Sequence, residues 1–133
     1  MPNVGSRRSA RERALALLYE AETKGQSPGD VLRDVPVGPE PFVITMVVGV
    51  EDHAARIDAL IAGHAFDWTL DRMPAIDRTL LRMATFELTE LADVPTAVVI
   101  SEAVDLAKQY STDESGRFVN GVLAAIAAEV RAD

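Results

Sequence analysis

The sequence predicts an all-α fold, a helical bundle of about six or seven helices, and three observations carry that expectation. Aromatic residues make up only 5% of the chain, while Ala, Leu and Val dominate its 48% hydrophobic content. That composition favours helix packed on helix over a β-sandwich. Apolar residues recur at helical spacing through each long segment. Pro and Gly clusters cut the chain between those segments. The 133 residues suit one domain or two small packed halves, and the chain is read as a single helical domain, 1–133.

The first helix is expected from Ser9 to Lys24, where Gly25 stops it with Pro28 close behind. Ala10, Ala14, Leu17, Leu18 and Ala21 share one face of it. A short helix follows over Pro28–Arg33, and VPVGPEP, residues 35–41, is a linker that an ordinary helix cannot cross. One long helix is then expected from Phe42 to His64. Its core is Ile44, Val47, Val48, Ile57, Leu60 and Ile61, with Gly49 a tolerated weak point. DWTLDRMP, residues 67–74, reads as a short helical turn stopped by Pro74. The next helix, Ala75 to Leu91, repeats Ile76, Leu80, Met83, Ala84, Leu88 and Leu91 at helical period, and ADVP ends it. Thr96 is placed to cap a helix from Ala97 to Tyr110. After the polar turn STDESG, a last helix from Ser115 to Arg131 turns Val119, Val122, Leu123, Ile126 and Val130 inward. Pro74 divides the chain into two helical groups of similar length.

Several chemistries are excluded or unsupported. Without cysteine there are no disulfides, thiolate metal sites or Cys nucleophiles. His53 and His64 stand alone, with no metal-binding spacing around them, so neither metal nor cofactor is expected. GRFVNG, residues 116–121, lacks the Lys-Ser/Thr of a phosphate loop and falls on an expected helix. The carboxylate pairs Glu51-Asp52 and Asp113-Glu114 sit in polar context, where nothing would raise a pKa for acid–base work. No enzyme is expected. The longest apolar run, FVITMVVGV, is about half the roughly 20 residues of a membrane span. No secretory signal is visible, so the protein reads as cytoplasmic.

Charge is the one uneven property. The chain carries a formal net charge of −8, from 13 basic and 21 acidic side chains. Residues 1–24 hold five basic and three acidic groups, net +2, and the remainder eight and 18, net −10. In RRSARERALALLYEAE, residues 7–22, Arg7, Arg8 and Arg11 fall along one flank of the first helix and Arg13 points elsewhere. Cations at a helix N-terminus oppose its macrodipole. A phosphate backbone would supply the missing benefit, because Arg contacts phosphate oxygens bidentately. Ordinary surface charge is the alternative. Arg78 and Arg82, four apart, could extend a basic track or form surface ion pairs. Phe118 falls at the edge of the last helix's inner stripe, where a base could stack, and the Asn120 amide could read a base edge. A gap-filling Phe and a locally satisfied Asn explain the same residues.

Three stretches together resemble the NusB family of bacterial transcription antitermination factors. They are RRSARERALALLYEAE, IDRTLLRMATFELTEL followed by DVP, and AVVISEAVDLAKQYSTDESGRFVNGVL, the last being the most specific. The resemblance runs from Arg7 to Val130, with a short stretch between the first and third helices. It implies two packed three-helix groups without catalytic activity. It also implies binding of single-stranded boxA RNA together with NusE, a small-subunit ribosomal protein, in a complex that keeps RNA polymerase transcribing ribosomal RNA operons. Some family members form homodimers. By position, Arg7, Arg8 and Arg11 match the family's RNA motif and Phe118 its RNA surface, with Glu114 in the same loop. Tyr19 and Asp77 match the surface for the partner protein. Similar domains head rRNA cytosine methyltransferases, which need a cofactor domain and a catalytic Cys that this chain lacks. A helical protein-interaction module without RNA binding is the remaining alternative.

Overall fold

The computed structural model describes residues 4–66 and 68–131, and every regular element among them is helical. The chain forms two compact units that divide between Asp52 and His53, rather than at Pro74.

The first unit holds α1 (Val4–Lys24), α2 (Pro28–Arg33) and α3 (Pro41–Asp52), each packed on the other two. Helix α1 starts five residues before the expected Ser9, so Arg7 and Arg8 lie inside it. Its end follows from Gly25, at φ 64°. The Gln26 N–H donates to Ala21 O at 2.9 Å and the Gly25 N–H to Glu22 O at 3.3 Å. This reverse turn uses a left-handed residue that glycine adopts without steric cost. Ser27 caps α2 by accepting from the Asp30 N–H at 3.1 Å, with Pro28 at the first helical position. Glu51 also accepts from the Gly29 N–H at 2.8 Å, so one of the carboxylates read as merely solvated helps to cap α2.

The single helix expected from Phe42 to His64 is two helices. α3 ends at Asp52, and α4 (Ala54–His64) begins after His53, whose φ and ψ are −109° and 19°. Neither Pro nor Gly marks that break, and the apolar pattern keeps its phase across it, so periodicity could not reveal it. The buried face of α3 also differs from expectation. Val43, Met46, Val47, Gly49 and Val50 are buried, while Ile44 and Val48 are exposed. In the run FVITMVVGV Thr45 is the single polar residue on the outer face, too little to set the period.

The second unit holds α4, a 3-10 turn (Leu70–Arg72), α5 (Ala75–Glu90), α6 (Thr96–Tyr110) and α7 (Asp113–Val130). It therefore has four α-helices where a group of three was expected, because the second half of the divided helix belongs to it. The turn lies within the predicted DWTLDRMP stretch, whose first residue, Asp67, is outside the described residues. Helix α5 is buried around most of its circumference and packs against α4, α6 and α7. Thr96 does not cap α6. Pro95 occupies the cap position, and the Thr96 hydroxyl accepts from Arg131. Thr112 caps α7, its Oγ1 accepting from the Ser115 N–H at 2.9 Å.

Arg131 ties the far ends of these helices together. Its Nε donates to Leu88 O, its Nη2 to Glu87 O and Leu91 O, and its Nη1 to Val94 O and Thr96 Oγ1, at 2.6–3.1 Å. Leu88 O belongs to the last turn of α5, at the negative end of its dipole, while Glu87 O and Leu91 O accept from Arg131 in addition to the Leu91 and Val94 N–H groups.

Candidate nucleic-acid interface

In the first unit the arginine run is arranged around an aromatic ring. The Arg7 guanidinium lies 4.0 Å from the centroid of Phe42, and that of Arg11 lies 5.4 Å from it. Both are within cation–π range. Arg7 and Arg11 are one helical turn apart on α1, so both reach the ring at the start of α3. The three arginines expected along one flank of the helix differ in access. Arg7 is exposed, Arg8 is half-buried, and Arg11 is only 3% exposed. Tyr19, on the same helix, is 40% exposed. Arg13 is exposed, and Glu20 pairs with Lys24 at 3.1 Å.

In the second unit the structure brings Asp77, Glu114 and Phe118 to one cleft of about 160 Å³, together with Trp68, Pro74 and Ser115. The Trp68 and Phe118 rings meet edge to face, with centroids 6.5 Å apart and planes at 64°. Asp77 is 3% exposed, and its Oδ1 has no hydrogen-bond partner among the described residues. Such a buried acceptor is costly unless a ligand or partner completes it. Glu114 is exposed and pairs with Arg117 at 3.2 Å. Asn120 lies exposed on α7 and is not among the residues lining the cleft.

Arg78 and Arg82 are hydrogen-bonded within the second unit. Arg78 Nη1 donates to Leu70 O at 2.7 Å and Met73 O at 2.9 Å, holding the 3-10 turn against the start of α5. Arg82 makes a two-pronged contact with Asp58, at 2.8 and 3.1 Å, the ion-pair alternative of the two expected for it. His64 Nδ1 donates to Leu60 O at 3.0 Å, and its Nε2 lies 3.2 Å from Glu129 Oε1. The described residues hold no cluster of three or more metal-ligating side chains, and none of their helices is long and apolar enough to cross a membrane.

The family's sequence model matches residues 8–128. The chain belongs to the NusB family. It is 49% identical over 128 residues to the transcription antitermination protein NusB of Kineococcus radiotolerans, covering 93% of this chain and 94% of that one. Its fold matches T. maritima NusB with a TM-score of 0.85 at 32% identity, over 92% of this chain and 91% of that one. It also matches, with a TM-score of 0.82 at 29% identity, a chain from a crystal structure of the antitermination factors NusB and NusE in complex with double-stranded RNA, over 96% of this chain and 99% of that one.

Two further side chains, Phe42 and Trp68, lie among the candidate residues and are not named as candidates in the sequence reading. Phe42 was placed only as the first residue of a helix, because its contacts with α1 are long-range. Trp68 was read only as part of a turn. Its signal was present, since the chain's one tryptophan stands in a short polar segment, where a large ring has little core to fill.

Proposed function

We propose that this protein is a transcription antitermination factor that binds boxA-type single-stranded RNA together with a NusE-type ribosomal protein, promoting processive transcription of ribosomal RNA operons. The observation that carries this reading is the likeness, along nearly the whole chain, to a NusB seen with NusE and RNA. The chemistry of the candidate side chains supports the reading. Arg7 and Arg8 grip phosphates, with Arg11 as the buried part of the same motif. Phe118 stacks a base, Asn120 reads a base edge, and Glu114 sits beside them. Tyr19 and Asp77 face the partner protein. Arg78 and Arg82, committed to Leu70, Met73 and Asp58, lie outside the RNA grip in this reading and support the scaffold beneath it.

The chain acts as one RNA-binding domain in the cytoplasm, without catalytic activity. It joins RNA polymerase through the NusE-type partner, and a homodimer is the form that would withhold its RNA surface. Fluorescence anisotropy tests the reading, with a boxA-like strand, a scrambled strand and a duplex, at two salt concentrations, with and without the NusE-type partner. The boxA-like strand should bind best, the partner should tighten it, and added salt should weaken it. Equal weak binding of all three RNAs, unchanged by the partner, would overturn it.

A further inference from the structure

We propose that Phe42 is a positioning residue of the RNA grip, an aromatic plate that presets Arg7 for phosphate. This rests on the RNA-binding reading above and adds a residue that the motif itself does not contain. Phe42 is the second residue of α3, behind Pro41, whose ring fixes the backbone at the helix entry. It is only half-buried, whereas its neighbours Val43, Met46, Val47 and Val50 fill the core. A Phe serving the core alone would be buried as they are.

Two guanidiniums lie over the ring, that of the buried Arg11 and that of the exposed Arg7. A guanidinium on an aromatic face is held through its π surface, while its N–H donors lie in its own plane. Stacking therefore orients Arg7 without using any of the donors that phosphate would need. An acidic partner would use those donors, as Asp58 does at Arg82. Arg is a flexible side chain, and holding it in advance removes part of the ordering cost of binding.

The test is RNA affinity and its salt dependence for Phe42→Leu, Phe42→Tyr, Arg7→Gln, Arg7→Lys and the Phe42→Leu/Arg7→Gln double variant. Urea unfolding and affinity for the NusE-type partner are measured alongside. Phe42→Leu keeps an apolar side chain and removes the ring. It should bind RNA about three- to tenfold more weakly and lower the steepness of the salt dependence by about 0.7, with unfolding and partner affinity unchanged. Phe42→Tyr should restore wild-type binding. Arg7→Lys keeps the charge but not the stacked fork, and should lose as much as Phe42→Leu. Arg7→Gln should cost less in the Phe42→Leu background than in the wild type, because the two residues act as one unit.

Wild-type affinity in Phe42→Leu, or full additivity of the two losses, overturns the role of Phe42 and leaves the RNA-binding reading intact. If Phe42→Leu unfolds, Arg7→Lys decides, and wild-type binding by that variant overturns the proposal. A wild-type chain that binds no RNA removes both.

Discussion

In the first unit Arg7 and Arg11 lie against the face of Phe42. In the second, Arg78, Arg82 and Arg131 point their N–H edges into oxygen acceptors. The same side chain is thus held in two ways with opposite consequences. An edge filled by carbonyls or a carboxylate makes the arginine part of the scaffold. At the exposed Arg7 a face resting on a ring leaves the edge to an incoming anion, while Arg11 is buried beside the same ring. Charge along the sequence does not separate these cases, because all five are equally cationic. What separates the exposed Arg7 from the arginines of the second unit is that the fold brings an aromatic ring to its guanidinium, where theirs meet oxygen acceptors.

Arg131 should show the largest effect of any single arginine. Removing it strips five hydrogen bonds from the segment between Glu87 and Thr96. Hydrogen bonds from a charged donor are stronger than neutral ones, and Leu88 O and Val94 O would lose this donor while Glu87 O and Leu91 O keep backbone N–H partners. Arg131→Ala should lower the unfolding free energy by about 3 kcal/mol in urea titration, with RNA affinity per folded molecule unchanged. Arg131→Lys should recover only part of this, since an ammonium group has three donors and no planar fork. A loss of RNA affinity in a folded Arg131 variant would break the division between scaffold and grip.

Phe118 tests the second unit's share of the RNA surface. Phe118→Ala should cost about 1–3 kcal/mol of RNA affinity if a base stacks on it, measured by anisotropy at fixed salt. The salt dependence should stay unchanged, because no phosphate contact is lost. Trp68 lies edge-on to Phe118, so Trp68→Ala should weaken the same RNA to a smaller degree. Wild-type affinity in Phe118→Ala would leave the cleft to the partner protein alone.

The parts of this molecule legible in the sequence are those written locally. Gly25 and Ser27 set the first turn, Pro28 the start of α2, and Pro74 and Pro95 the starts of α5 and α6, each through backbone chemistry within a few residues. The inner stripe of α7 is legible because polar residues mark its outer face, whereas α5 also buries Asp77, Thr79, Thr85 and Glu87, so its apolar stripe understates its burial. The break at His53 and the buried face of α3 are not legible, since one lacks a helix breaker and the other lies in a run where Thr45 alone is polar. The candidate site followed the same rule. Arg7, Arg8, Arg11 and Phe118 were named from the motif and the helical face. The ring beneath two of those arginines comes from 31 and 35 residues further along the chain (Phe42 less Arg11 and Arg7), a distance over which neither periodicity nor spacing carries information.

Arg82 gives a smaller effect and a useful contrast. Its pair with Asp58 has good two-pronged geometry, but the two side chains remain 28% and 36% exposed. Solvent screening therefore limits its contribution, and Arg82→Ala should cost less than about 1 kcal/mol of stability. RNA affinity should not change. A clear loss of affinity there would return Arg82 to the basic track and weaken the separation between the two units' arginines.

The smallest expected difference is the most specific to the grip. Three arginines on phosphate would give a dependence of log affinity on log salt near −2 for single-stranded RNA. Arg11, at 3% exposure, has little access to a phosphate, while Arg7 and Arg8 retain it. Two phosphates predict a slope of about −1.4. Arg7→Gln and Arg8→Gln should each reduce that slope by about 0.7. Arg11→Gln should weaken binding through the lost support of the Phe42 ring while moving the slope less than either. Should Arg11→Gln reduce the slope as much as its neighbours do, the α1–α3 contact must open when RNA binds, and Arg11 would join the grip directly.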